Sequence, residues 1–524
     1  MDEPAQRSHR PDVSFDGGDL DCGSGLLLLI RKHIDPLARG QILEVRSTEV
    51  SVEQDLPAWC RLTGNELISW SRNAGTWSFL ICKGSLAEQK ESPAPAPSRP
   101  GAERRVEGAR ISARLSKPDS IPQIAPLSVM GIGSWPRPRW MLQALHEHVE
   151  GRLGEDEFQA TADDAVRFAV EAQLRSHADV VTDGEQRRDN YASFVGGLLE
   201  NCQLIPLTDL LPLVDDPEKF EKELESLDVP ASEVRHPAVF GKLRRGRPIA
   251  AHELEFVRTL TDRPVKIALP GPYLLTRIMW MECISDKAYA TREELAGDLV
   301  QILREELHDL LSAGAALVQI DEPVLTEVVF TGAKNSRSFM CGALSEKGSA
   351  EHELGFAREL INQVVDGAPL ERTVIHICRG NWTRDESAAL SGDYRPLVPI
   401  LKALKLGNYL LELCTPRAGE IEALKELPTD RRIGVGLVNP KTEIVESSEE
   451  IVAKAKRAAD LFGADRIFLN PDCGFATFAD NPVCISRLAE AKLSALARAA
   501  IEGSLGAANR QDQLRETEKM ILGA

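Results

Sequence analysis

Four side chains of this sequence have the types and spacing to hold one metal ion. His376 and Cys378 stand two residues apart in the apolar run "VIHICRGN", Glu412 lies at the end of "YLLELC", and Cys473 lies at the end of "RIFLNPDCG". Positions i and i+2 of a strand face the same side, so the imidazole and thiolate of the first pair converge. Two thiolates, one imidazole and one carboxylate make a tetrahedral set suited to zinc. Counting one charge per anionic ligand, such a centre carries a net charge of about −1. That favours an electron-rich sulfur nucleophile over a strongly acidic water, so thiol activation is expected rather than hydrolysis. Cys414 stands at i+2 from Glu412 and shares its side on a regular strand, so spacing leaves the fourth donor open between them.

These donors must be positioned by the elements around them. Eight apolar runs read as buried strands: "PLSVMGIGSW", "DVVTDGE", "VKIALPGP", "ALVQIDEP", "TVIHICRG", "YLLELC", "RIGVGLVNP" and "RIFLNPDCG". Helical patterns separate them, among them "EELAGDLVQILREELHDLLSAG" and "SEEIVAKAKRAADLFGA", both ending at a glycine stop. Repeated βα units of this kind predict a closed parallel (β/α)₈ barrel, with a doubly wound open sheet as the alternative. In a barrel, chemistry gathers at the C-terminal strand ends. Ser134, Glu185, Asp321, Glu322, His376, Cys378, Glu412 and Cys473 all stand there. Adjacent carboxylates on a strand point to opposite faces, so of Asp321 and Glu322 one faces the pocket, and Asp321 is the expected one.

The motifs "GIGSWPRP", "TDGEQRRDNY", "LPGPYLLTRIMW", "VQIDEPVL", "HICRGN", "ELCTPRAGE" and "NPDCGF" occur in this order. Together they resemble the catalytic barrel of cobalamin-independent methionine synthases, and more closely the short, single-barrel members of that family. The resemblance spans about Ile124 to Leu488. It implies a zinc site of His376, Cys378, Glu412 and Cys473, Glu412 rather than Cys414 being the fourth ligand, with the acceptor thiol binding zinc as a thiolate. It implies that the backbone at Gly133 and Ser134, with Glu185 and Asp321, holds the polar end of the thiol. In members that use homocysteine, those two carboxylates hold its ammonium group. Trp280 matches a position beside the methyl donor. A free alkyl thiol is mostly protonated at neutral pH, and an amine such as a methylated folate is a poor leaving group. The reaction thus needs an activated thiolate, an oriented donor and proton delivery.

The chain also departs from the long family members. In the place of their additional N-terminal barrel stands the short N-terminal segment. In the loop after the seventh strand, "GLVNPKTEIVES", it carries Asn439, Lys441 and Glu443 but no histidine. Epoxide-opening coenzyme M transferases resemble the same barrel, and Arg187 and Arg188 beside Glu185 suit an anionic substrate such as a sulfonate. Pairing of these arginines with nearby carboxylates is the alternative.

Residues from about Asp19 to Lys83 resemble the TusA/SirA sulfur carriers. The pattern is strand, Cys-bearing turn, helix, strand, helix, then strands from "LISW" and "TWSFLIC". Cys22 falls where the family carries its persulfide, and Asp55, Pro57 and Gly64 match further family positions. The family's Cys-Pro-x-Pro is here Cys22-Gly23-Ser24-Gly25. A helix N-terminus lowers a thiol's pKa, so the resemblance implies a catalytic role for Cys22 with a sulfur-relay protein as partner. Cys60 and Cys82 read as core thiols, as do Cys202, Cys283, Cys341 and Cys484.

Three divisions follow: residues 1–84 as the sulfur-carrier-like domain, 85–120 as a Pro/Ala-rich linker, and 121–524 as the zinc barrel. The insert from Asp209 to about Glu253 contains "DDPEKFEKELESL", which reads as a surface helix serving as a lid or oligomer contact. A net charge of −18 argues against nucleic acid and anionic membranes as partners. No apolar run is long enough to span a bilayer and the first residues carry no apolar signal core, so a cytoplasmic location is expected. The ten cysteines show no disulfide-like density. The expected activity is zinc-dependent transfer of a methyl or other alkyl group to homocysteine or a related thiol, by a possible homo-oligomer. The competing expectations are a sulfur-metabolism enzyme acting on an alkylated thiol or epoxide through a persulfide on Cys22, and a non-catalytic scaffold or thiol sensor.

Overall fold

The computed structural model describes residues 9–20, 25–73, 75–87, 123–206, 235–280, 288–330, 348–381, 384, 386, 389–476 and 484–502. Cys22, Cys283, Cys341, the 85–120 linker beyond Ala87 and the expected surface helix of the insert lie outside them.

The N-terminal module has β1 (Val13–Asp16), α1 (Leu27–Ile34), β2 (Ile42–Ser47), α2 (Val52–Leu62), β3 (Glu66–Asn73) and β4 (Thr76–Cys82). Its sheet runs β1-β2-β4-β3, with β1 parallel to β2 and the other pairs antiparallel. The apolar faces of both helices (Leu27, Ile30 and Ile34; Val52, Leu56 and Trp59) bury onto Leu43, Val45, Phe79 and Ile81. This is the two-layer α/β arrangement that the alternation in the sequence predicts. Cys60 and Cys82 are buried within it, and burial pushes the Cys60 thiol up to about 12, as suits a core residue.

In the larger part, six parallel strands form the order β12-β11-β10-β9-β8-β7. They are β7 (Lys266–Pro270), β8 (Leu317–Asp321), β9 (Thr373–Ile377), β10 (Asn408–Leu411), β11 (Arg432–Val438) and β12 (Ile467–Pro471). The ring closes through isolated bridges: Val129 pairs with Leu469, Met130 with Val180, and Val181 with Val265. Eight staves therefore surround one axis, the first two paired more sparsely than the rest. Inside the ring, Met130, Ile132, Val180, Leu317, Val374, Leu410 and Phe468 make an apolar plug, the packed interior of a TIM barrel. Helices cover the outside. The helix Arg292–Ser312 is capped by Thr291, and Ser448–Phe462 by a Ser447/Glu450 capping box. Gly314 and Gly463 follow them with φ of +95° and +90°, the left-handed stop expected of glycine.

Between the second stave and β7 an antiparallel arm projects, made of β5 (Leu199–Pro206) and β6 (Arg235–Arg245). The insert, whose sequence reads as a surface helix, thus also contributes a strand, β6, for which Cys202–Pro206 supplies ladder partners. The arm carries the N-terminal module: Gln203 Nε2 donates to Asp35 Oδ2 (2.8 Å) and to the Arg31 carbonyl (3.1 Å). Lys32 lies over the Phe240 ring at 5.4 Å. No helix among the described residues is long and apolar enough to cross a membrane.

Candidate active site

β9 alternates as a strand must. Val374 enters the plug, and His376 and then Cys378 follow on the same face towards the C-terminal mouth. β12 ends at Pro471, and Asp472 turns the chain because its Oδ1 accepts the Leu413 and Cys414 amides at 2.9 and 2.8 Å. Gly436 makes room for that carboxylate, since a Cβ there would collide with Asp472 Oδ1. The turn delivers Cys473 to the first pair. Ligand atoms of His376, Cys378 and Cys473 all lie within 4.8 Å of one another, and all three residues are buried.

The donor chemistry fits a metal. His376 Nδ1 contacts the Leu410 carbonyl at 3.1 Å, while its buried Nε2 has no hydrogen-bond partner among the described residues. That fixes the ring with a bare nitrogen in the cluster, the usual arrangement of a metal-binding imidazole. A hydrogen bond from Cys473, and then the neighbouring His376, holds the Cys378 thiol well below its ordinary value; Cys473, sharing that bond and buried, is pushed up.

Glu412 and Cys414 are separated clearly. The strand ends at Leu411, so the i, i+2 rule no longer applies between them. The Cys414 thiol faces Glu446 (4.0 Å) and Lys454 (3.7 Å). Glu412 is buried beside the cluster but is not one of its three converging donors. Its Oε2 accepts the Arg379 amide at 2.9 Å, and its Oε1 accepts Arg417 Nη2 at 2.6 Å.

A second polar group stands next to the first. Asp321 is the register partner of His376. Burial, with Glu185 nearby, pushes its carboxyl up to about 7. Gln319 Nε2 donates to Asp321 Oδ1 (2.7 Å), and Lys266 Nζ donates to Gln319 Oε1 (2.6 Å) and to the Gly131 carbonyl (2.7 Å). Burial lowers Lys266 to about 7, against the pull of Asp321 and Glu185. Glu185 is buried and its own carboxyl is pushed up by burial. It adopts φ +54°, a left-handed conformation that costs a non-glycine residue about 1–2 kcal/mol. Its carboxylate occupies the space that a Cβ on Gly133 would need. Ser134 Oγ accepts the Ala476 amide at 3.2 Å, and Asn381 Nδ2 donates to the Gly474 carbonyl at 2.7 Å, so the Gly133–Ser134 loop and the β9 loop both grip the Cys473 turn. Glu322 points the other way and accepts the Tyr273 and Leu274 amides, capping the helix Pro272–Met279. Trp280 ends that helix, buried in the main core.

Arg187 and Arg188 are not free cations. Arg188 Nη2 is 2.6 Å from Glu253 Oε2 and its Nη1 donates to the Ala268 carbonyl at 2.9 Å, all buried. Arg187 pairs with Asp163 and donates to Gln159 Oε1 at 2.9 Å. Both arginines therefore have carboxylate partners, the alternative to receiving a substrate anion: Asp163 on the helix Glu155–Arg175 for Arg187, and Glu253 with the nearby Glu185 for Arg188.

Residues 219–348 and 390–495 match the family model for the cobalamin-independent synthase catalytic domain, and residues 25–83 match that for the sulfurtransferase TusA. The barrel is a cobalamin-independent synthase domain. Among curated relatives, the methionine synthase of Saccharolobus solfataricus is 25% identical over 345 residues, covering 66% of this chain and 86% of that one. The methionine synthase of Sulfurisphaera tokodaii is 27% identical over 357 residues, covering 68% and 87%. Of solved structures, a B12-independent methionine synthase from Shewanella sp. W3-18-1, in complex with selenomethionine, has the same fold, with a TM-score of 0.55, 21% identity, and coverage of 75% of this chain and all (100%) of that one. A second, from Listeria monocytogenes, gives a TM-score of 0.50 at 19% identity, covering 73% and 99%.

Sequence reasoning missed part of the synthase site. Lys266 and Gln319 form the buried support of Asp321, and Arg417 and Arg379 clasp Glu412. The first two had a signal: each interrupts an otherwise apolar strand, "VKIALP" and "ALVQID". Arg417 had none, because its position depends on a loop.

Proposed function

We propose that this chain transfers a methyl group to the sulfur of homocysteine, with a methylated folate as donor. The observation that carries the reading is the convergence of His376, Cys378 and Cys473, with a bare His376 Nε2, directly beside Asp321. These residues would hold zinc, and Glu412 would complete a four-donor set by exchanging one of its present hydrogen bonds. When bound, zinc supplies the Lewis acidity that lets a thiol act as a thiolate at neutral pH.

The chain's own residues do the rest. Asp321 and Glu185 receive an ammonium group, and its positive charge restores their ionised forms against burial. Lys266 and Gln319 fix Asp321 so that it does not turn away. The Gly133–Ser134 backbone lines the same mouth and bounds the amino-acid end. Holding the two ends of homocysteine leaves its sulfur aimed at the donor, which is the orientational part of the rate enhancement. Trp280 is assigned to the donor side. Arg187 and Arg188 are structural in this reading.

The N-terminal TusA domain is assigned a sulfur-carrier role at Cys22, with a relay protein as its partner. Methylation of homocysteine from a methylated folate by purified protein, together with zinc near one per chain, tests the main reading. Absence of zinc from a stable protein would favour a scaffold instead. Unchanged turnover of Cys22→Ala with free homocysteine, alongside loss of persulfide loading, would confine Cys22 to sulfur carriage.

A further inference from the structure

Glu412 stands beside the metal-binding cluster without taking part in it. Leu411 is the register partner of Ile377, so the next residue on each chain brings Glu412 opposite Cys378. The Glu412 backbone is pinned there. Its amide donates to the Tyr394 hydroxyl at 3.0 Å, and that hydroxyl is shared between the Glu412 and Ile377 carbonyls at 3.1 and 3.3 Å. Only the carboxylate is left to change partners.

Both of its oxygens are engaged from outside the cluster. Oε2 accepts the Arg379 amide at 2.9 Å. Oε1 accepts two nitrogens of Arg417, Nη2 at 2.6 Å and Nε at 3.2 Å. The remaining nitrogen, Nη1, pairs with Glu386, which also accepts Asn439 Nδ2 at 2.6 Å. Arg417 is itself held: its carbonyl accepts the Gly392 amide at 3.1 Å, and its side chain is 13% exposed. A largely buried guanidinium therefore grips the carboxylate nearest to a cluster whose three other donors already converge. A guanidinium and a divalent cation compete for the same lone pairs, so what Glu412 gives to one it withholds from the other.

We propose that Arg417 is a positioning residue that competes with the metal for Glu412 and so keeps the fourth position open to the acceptor thiol. The inference rests on the reading of His376, Cys378 and Cys473 as a zinc site. Four protein donors close a tetrahedral site, whereas a site that admits substrate keeps one position exchangeable. The Cys378 and Cys473 thiolates balance a dication, which leaves room for one further anion at modest cost. The Glu412 carboxylate and the substrate thiolate are the two claimants. Arg417 gives the carboxylate a counter-charge of its own and tilts the choice towards sulfur.

The test uses the full-length protein with two readouts: zinc affinity, by competition with a chromophoric chelator, and the separate KM and kcat for homocysteine. Arg417→Met releases Glu412. Zinc is expected to bind about 10–100-fold more tightly, the range that one hydrogen bond to a charged group supplies, and KM to rise by a similar factor while kcat holds. Arg417→Lys keeps the cation but loses the two-nitrogen grip, and should shift both quantities the same way by less. On a Glu412→Gln background no carboxylate is left to release, so Arg417→Met should change neither. A shift that persists in Glu412→Gln would reduce Arg417 to simple charge repulsion and overturn the assignment. Weaker zinc binding in Arg417→Met, or no shift in either Arg417 variant, would overturn it too, with the zinc site itself left standing. A wild-type protein that takes up no zinc would instead overturn the underlying reading.

Discussion

Two buried polar groups of the barrel are built on opposite plans. Around Arg188, a guanidinium is answered by Glu253, by the Ala268 carbonyl and by the Phe194 ring at 4.3 Å. Near Cys473, the His376 Nε2 and the Lys441 Nζ have no hydrogen-bond partner among the described residues. Both groups pay desolvation, but only the first recovers it within the folded chain. Satisfied charges hold the fold together, whereas bare donors mark where another molecule or ion completes the set.

The sharpest way to break this contrast is at the cluster. Cys473→Ser should abolish methyl transfer and drop bound zinc from near one per chain to a trace, read by metal analysis, while thermal unfolding still shows a cooperative protein. A variant that keeps its zinc would mean that the three donors do not share an ion. Next in size, Arg188→Met should lower unfolding free energy by about 3–5 kcal/mol, since it strands the buried Glu253 carboxylate. Denaturant unfolding measures it. Unchanged stability with a raised KM would turn Arg188 into a substrate residue.

A smaller effect is expected at the ammonium site. Asp321→Asn should weaken homocysteine binding by about 1.5–3 kcal/mol, read as KM, with zinc retained. Its pH dependence has a definite sign. The carboxyl lies near about 7 in the empty site, so it is ionised above that value and protonated below it. KM for homocysteine should therefore rise as pH falls through this range, and the Asn variant should lose that limb. Smallest of all, Arg187→Gln should cost about 1 kcal/mol or less, because Asp163 is partly open to water; a large loss of activity would reopen the anion-receptor role.

Much of this was readable in the chain. The eight apolar runs gave the staves because parallel strands buried on both faces read as short continuous apolar stretches, here separated by helical patterns. His376 and Cys378 were readable as a pair because both lie on or at the end of a regular strand. Cys473 was not geometrically assured, since it lies beyond Pro471 where alternation has ended, and only the Asp472 bonds to Leu413 and Cys414 bring it round. The same loss of regularity left Glu412 and Cys414 undecided. Lys266 and Gln319 went unread because a charged or amide side chain in a buried strand is meaningful only once its partners are known.

Sequence by itself determined the residue types at the strand ends, the number of βα units and the two-module organisation, because each follows from local period and from the chemistry of single side chains. Tertiary structure alone decided which charges neutralise each other and which remain exposed to a ligand. That choice depends on distances between segments far apart in the chain, such as residue 188 against 253 and 412 against 379. Hydrogen-bond satisfaction is a property of the closed barrel and cannot be read from any one of its staves.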